Sequence, residues 1–274
     1  SNPNLPEKYE KYKSGFLERK KDNEKKFNEL KYGLENEIVD LDSSTSTRKS
    51  VTSVFQFLLV ITLLAAIVTG GIVSTEFSKG TIRLLLTRPV SRTKILMSKY
   101  ATSLFISLIF LVVGTLSVVI SSICLYGVGD LSVNMLSFNN GAVTQIPFIL
   151  WLILKILFSS ISIIFVVTAS FMLSTLTKNT AVAVGLSVAV SIGSQILTQL
   201  LIMSRTFSKI VGYTPIPYIN LAEYATDSYL KSMVTQEQRF IFLNENYGAI
   251  LLLILTAIML IISIISFKKR DVMN

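Results

Sequence analysis

Five uncharged or nearly uncharged runs, at about 51–73, 101–125, 147–173, 180–203 and 248–267, constrain this chain more than anything else in it. Each is long enough to cross a bilayer, which takes roughly 20 apolar residues. Four contain no charged residue, and the third holds only Lys155. A segment in lipid must satisfy its backbone polar groups within itself, so runs of this kind become helices. They are too long and too continuous for the alternating strands of a barrel. Charged residues make up 16% of the chain, against about 25% in a soluble domain. The expected fold is all-α: a polytopic helical membrane domain over 51–274, preceded by a charged region over 1–50.

Charge then orients the bundle. The net charge is +9, but the cations lie beside spans, where they face headgroups, so no nucleic-acid partner is expected. Lys79, Arg83, Arg88, Arg92, Lys94 and Lys99 fall between the first two runs. Strict alternation places Lys178, Lys268, Lys269 and Arg270 on the same side. The loop 126–146 has no Lys or Arg, and the long loop 204–247 has four. Cytoplasmic loops carry the excess of Lys and Arg, so the C-terminus is expected in the cytoplasm and 1–50 outside. Residues 1–50 hold 11 Lys/Arg and 10 Asp/Glu with no apolar run ahead of them. Such a segment does not cross a membrane unaided. The sequence therefore predicts one further span ahead of residue 1, six in all. Within 1–50, Phe27, Leu30, Leu34, Ile38 and Leu41 share one helical face, which predicts an amphipathic helix outside the membrane.

Other features bear on packing and chemistry. Ala181, Gly185, Ala189 and Gly193 place a small residue at every fourth position of the fourth run. Such a stripe lets a second helix approach closely, within the chain or across a dimer. Lys155 has two readings: it snorkels to the outer interface beside Trp151, or it lines a substrate path. Loop 204–247 is too long for a plain connection, and short helices dipping into the outer leaflet suit it. The single cysteine, Cys124, cannot form an internal disulfide, and histidine is absent. No span carries paired aspartates, a serine–histidine set or metal ligands, so neither catalysis nor a resident metal is expected.

Residues 74–99 are the unusual element. Wound as a helix, 77–85 put Phe77, Thr81, Ile82, Leu84 and Leu85 on one side and Lys79 and Arg83 on the other, with Glu76 at the start. That predicts a helix lying on the inner membrane surface. Pro89 ends it and biases Arg88 to extended geometry; Ser91 suits the N-cap of the next helix.

The string "EFSKGTIRLLLTRPVSRTKILMSKY" closely resembles the signature between the second and third spans of type-2 ABC exporter permeases. The matching positions are Glu76, Phe77, Gly80, Thr81, Leu84, Leu85, Pro89, Val90, Ser91, Arg92 and Lys99. The turn "STLTKNT" looks like that family's second cytoplasmic contact, through Thr177, Lys178 and Asn179. The resemblance implies a permease that pairs with a second copy and docks on a dimer of a separate ABC ATPase subunit. Its coupling residues would be Glu76, Phe77, Gly80, Thr81, Arg83, Arg88, Pro89, Ser91, Arg92 and Lys94. ATP and magnesium would bind the partner; this chain has no G-x-x-x-x-G-K-[ST] loop. Export is implied by resemblance alone, and the substrate is not indicated. The competing readings are a membrane-embedded sensor or interaction protein without transport, and an ion-driven transporter. The latter needs ionisable groups near mid-bilayer, where only Lys155 qualifies.

Overall fold

The computed structural model describes residues 50–51, 58–81, 90–128, 135–139, 142–177, 179–203, 211–222 and 245–269. Five long helices dominate them: α1 (Leu58–Ser78), α2 (Arg92–Tyr126), α3 (Phe148–Leu176), α4 (Thr180–Met203) and α5 (Glu245–Lys269). Each is long and apolar enough to cross a membrane. Between α2 and α3 lies an antiparallel hairpin of β1 (Met135–Asn139) and β2 (Ala142–Ile146), with Met135 opposite Ile146 and Asn139 opposite Ala142. The paired ends flank Asn140 and Gly141 in sequence, the dipeptide that most favours a two-residue hairpin loop. The all-helical expectation therefore needs this addition. Two five-residue strands are invisible to a search for long apolar runs.

The bundle buries apolar and hydroxyl side chains together and turns many large apolar ones outward. Among the described residues, the buried polar and charged ones are all Ser or Thr apart from Lys155. Large apolar side chains such as Phe105, Ile120, Ile149, Ile196 and Ile265 are exposed. Helices in lipid gain nothing by hiding leucine from lipid tails; they associate through small residues that let backbones approach. Most buried hydroxyls bond a carbonyl of their own helix: Ser103 to Lys99, Ser107 to Ser103, Thr115 to Leu111, Ser187 to Ala183 and Ser191 to Ser187. On α1, Gly70 lets α4 come close, since a Cβ there would lie 3.0 Å from Ser187 Oγ and 3.2 Å from Val184 Cα.

Two ends are distinguishable. At the basic end, Phe77 near the end of α1 meets Phe267 near the end of α5, edge to face, with centroids 6.3 Å apart. At the opposite end, Ser122 of α2 donates to Ser50 Oγ at 2.8 Å, and Val51 packs in one core with Phe148, Trp151 and Ala222. Residues 211–222, which include the short 3-10 turn Pro217–Asn220, also enter the bundle at this end, with Tyr218, Leu221 and Ala222 buried.

Candidate functional site at the basic end

Here α1 does not stop where its uncharged run stops. It continues through Glu76 and Phe77 to Ser78 and only then turns, with Lys79 N–H donating to Thr75 O at 2.9 Å and Gly80 N–H to Phe77 O at 3.2 Å. Gly80 has φ +71°, the left-handed conformation that glycine adopts at helix C-termini. Only the start of the expected surface helix over 77–85 is described, and it differs from the expectation: Glu76 and Phe77 close the first span, and Thr81 lies in the turn, its hydroxyl 3.5 Å from Glu76 O. Arg83, Arg88 and Pro89, with the rest of the predicted surface helix, lie outside the described residues.

Glu76 is consequently at the end of its helix where the dipole disfavours an anion. What holds it is Lys99 of α2, which donates to Glu76 Oε1 as an ion pair. Glu76 Oε2 is buried without a hydrogen-bond partner. The pair joins α1 to α2 across the 79–91 connection. Lys99 was legible as one of the basic residues ahead of a span, but nothing in the spacing marks it as the partner of Glu76.

Ser91 caps α2 as expected: its backbone is extended and its Oγ accepts from Lys94 N at 3.4 Å. With 35 residues, α2 is about 52 Å long, well beyond the roughly 30 Å of hydrocarbon. Its charged residues, Arg92, Lys94 and Lys99, all sit in the first turns, so the excess length projects from the basic end. Arg92 and Lys94 are exposed there, with no acidic residue in the first turn. Two cations at the positive end of a helix dipole are each disfavoured by a few tenths of a kcal/mol.

The α3–α4 turn meets this assembly. Asn179 caps α4, its Oδ1 accepting from Ala181 N at 2.9 Å and Val182 N at 3.4 Å, and Thr177 Oγ1 bonds Leu173 O at 2.9 Å. Lys178 lies outside the described residues. Ser78 Oγ and Thr180 Oγ1 are 3.0 Å apart, and Thr180 Oγ1 donates to Thr75 Oγ1 at 3.4 Å. One turn deeper, Ser174 Oγ of α3 accepts from two successive α1 amides, Val73 at 3.1 Å and Ser74 at 3.0 Å. Ser174 has no distinguishing pattern in the sequence. The flanks of the two predicted contact segments, around Glu76 and around Thr177, are thus one cluster on three helices.

Two other features can be placed. Among the described residues nothing packs on the α4 stripe: Ala181, Gly185 and Ala189 are exposed, and a Cβ built at Gly185 or Gly193 meets nothing within 4 Å. The packed face is Ala183, Ser187, Ser191, Ser194 and Thr198. Lys155 does not snorkel to the interface. It is 1% exposed, and its ammonium donates inward to Ala222 O at 2.8 Å while lying 5.4 Å from the Trp151 ring centroid.

Residues 23–273 match the family described as "Protein of unknown function (DUF2705)". A Bacillus subtilis (strain 168) protein described as "Uncharacterized protein YhcI" is 29% identical over 245 residues, covering 89% of this chain and 74% of that protein.

Proposed function

We propose that this chain, which belongs to the DUF2705 family, is the membrane-spanning permease subunit of an ATP-driven exporter in the cytoplasmic membrane. The reading takes the basic end as cytoplasmic and as the docking face for a separate ABC ATPase dimer, which binds ATP and magnesium. A second copy of the chain completes the pathway, with the α4 stripe of Ala181, Gly185, Ala189 and Gly193, uncovered among the described residues, as its contact.

One observation carries the reading: the described flanks of the segment that resembles a permease coupling signature and of the α3–α4 turn meet at one end. Force applied to the α1–α2 connection reaches α3 through Ser174 and α4 through Thr180. Four helices are therefore joined near one end. The geometry also divides the candidate residues. Glu76 and Phe77 face inward to Lys99 and Phe267 and serve as the lever's root. Arg92 and Lys94 are exposed and suit direct contact with an acidic surface of the partner.

The test is co-purification of the chain with the ATPase encoded beside it, before and after R92E/K94E. Reversal of these two charges is expected to abolish association and substrate-stimulated ATPase activity while leaving the chain folded in the membrane. Full association by the doubly reversed variant refutes the proposed docking face. A membrane sensor without transport would retain its fold and show no ATPase partner at all.

A further inference from the structure

Positive charge at the basic end lies at two heights. Phe77 against Phe267 puts the end of α5 level with the end of α1. The Glu76–Lys99 ion pair and the Ser78–Thr180 contact bring Lys99 of α2 and the start of α4 to that level too. Lys79, just past α1, and Lys268 and Lys269, in the last turn of α5, are exposed there. Arg92 and Lys94 precede Lys99 on α2, which sets them roughly 7–10 Å farther out along its axis.

The nearer set carries more charge than the fold uses. Glu76 is matched by Lys99. The C-terminal ends of α1 and α5 each present about half a negative charge, so one lysine's worth of charge offsets both. α3 ends where α4 begins, and their opposed termini cancel. Lys79, Lys268 and Lys269 therefore leave a surplus of about two positive charges at the level where these helices end.

α5 shows what kind of anion fits. Ile258, Ile261, Ile262 and Ile265 are 41–55% exposed, and their spacing by three and four places them on one face of the helix. Lys268 and Lys269 follow Ile265 at the same three and four, so this apolar stripe ends in two ammonium groups. A face that is apolar along its length and doubly cationic at its tip complements an amphiphile with a negative head. A soluble phosphate would use the lysines and leave the isoleucines unmatched. A zwitterionic headgroup would bring its own cation against them. Basic pockets at the ends of membrane helices are where anionic headgroups bind.

We propose that the α5 stripe, with Lys79 of α1 beside its basic tip, is a binding site for an anionic phospholipid, whose phosphate meets Lys268, Lys269 and Lys79 and whose acyl chain lies along the isoleucines. The inference needs only that α5 spans the membrane; it stands whether or not the basic end docks an ATPase. Its test is native mass spectrometry of the full chain in mild detergent, titrated with phosphatidylglycerol and with phosphatidylcholine of the same acyl chains. The readout is the ratio of the two affinities at low ionic strength. The parent should prefer phosphatidylglycerol by about ten-fold or more, since each lysine at a lipid surface contributes about five-fold. Lys79→Gln should cut the preference about five-fold and K268Q/K269Q should bring it near unity. K268R/K269R, which keeps both charges, should retain it, and so should R92Q/K94Q, whose charges lie farther out. Lys79→Gln serves alone if K268Q/K269Q is not recovered folded. Equal affinity for the two lipids in the parent, or a preference that survives K79Q/K268Q/K269Q, would overturn the site. So would a loss in R92Q/K94Q as large as in K268Q/K269Q, which would mean general surface charge. Displacement of bound phosphatidylglycerol by millimolar inorganic phosphate would assign the lysines to a soluble anion and overturn the lipid.

Discussion

Ser174→Ala isolates the contact through which α1 and α3 are joined. The substitution deletes one oxygen and no volume of consequence, in a residue with no exposed surface. It removes the acceptor for two α1 amides, Val73 and Ser74. Hydrogen bonds between membrane helices are worth about 0.6 kcal/mol on average and up to about 1.7, so two of them set a range of roughly 1 to 3 kcal/mol. Both amides keep a fallback, since a helical N–H can return to the carbonyl four residues earlier. That pulls the expectation to the lower end, about 1 kcal/mol, or roughly a five-fold shift in the folded fraction. Reversible unfolding of the purified chain in bicelles or mixed micelles measures it. Ser117→Ala is the control, because Ser117 is exposed and bonds only Val113 O on its own helix, at 2.7 Å. Ser174→Thr keeps an acceptor and should lie between the two. If Ser174→Ala unfolds at the same denaturant concentration as Ser117→Ala, the α1–α3 bond carries no energy and cannot transmit force between those helices.

Two further outcomes test the architecture. Gly248→Ala places a methyl group against the Tyr218 ring, an overpacking expected to cost about 1–3 kcal/mol in the same unfolding assay; truncating the ring as well, in Y218A/G248A, should recover part of the loss, and no recovery would mean the two residues do not touch. For the Glu76–Lys99 pair the expected asymmetry matters more than the size. Lys99→Met strands a carboxylate that already has one buried oxygen without a partner, so it should destabilise more than the double variant E76Q/K99M, with a coupling energy of about 1 kcal/mol; strict additivity in the cycle would show that no pair exists.

The sequence makes the helices legible and leaves their contacts hidden. The run at 180–203 matches the described range of α4, Thr180–Met203, because an uncharged stretch of that length can only be satisfied in lipid as a helix. The first run misplaces the end of α1, because a charge normally marks the edge of a span and Glu76 is a charge. Its neutralisation by Lys99, 23 residues away, cannot be read from either residue alone. The same holds for Ser174, whose partners lie 101 and 100 positions distant, and for Lys155, whose carbonyl partner is 67 positions on. The small-residue stripe of α4 shows a different limit. Period-four spacing identifies a face that admits close approach, yet Ser187 and Ser191 two positions away are small enough to pack too, and they are the ones α1 uses. Residues around 76–80 and 177–180 were recognisable as a site only through resemblance; their proximity emerges from the antiparallel order of α1, α2, α3 and α4.

The self-bonded serines and threonines carry a consequence for biogenesis. A helix whose hydroxyls already grip its own carbonyls can leave the translocon and sit alone in hydrocarbon without an unmet polar group. Such segments can be threaded in one after another and assembled later. α3 differs in carrying an ammonium, Lys155, in the first third of its length, and a charge within a span carries an insertion cost that hydroxyls do not. The long apolar remainder of α3 has to outweigh that cost for the helix to enter lipid ahead of its neighbours.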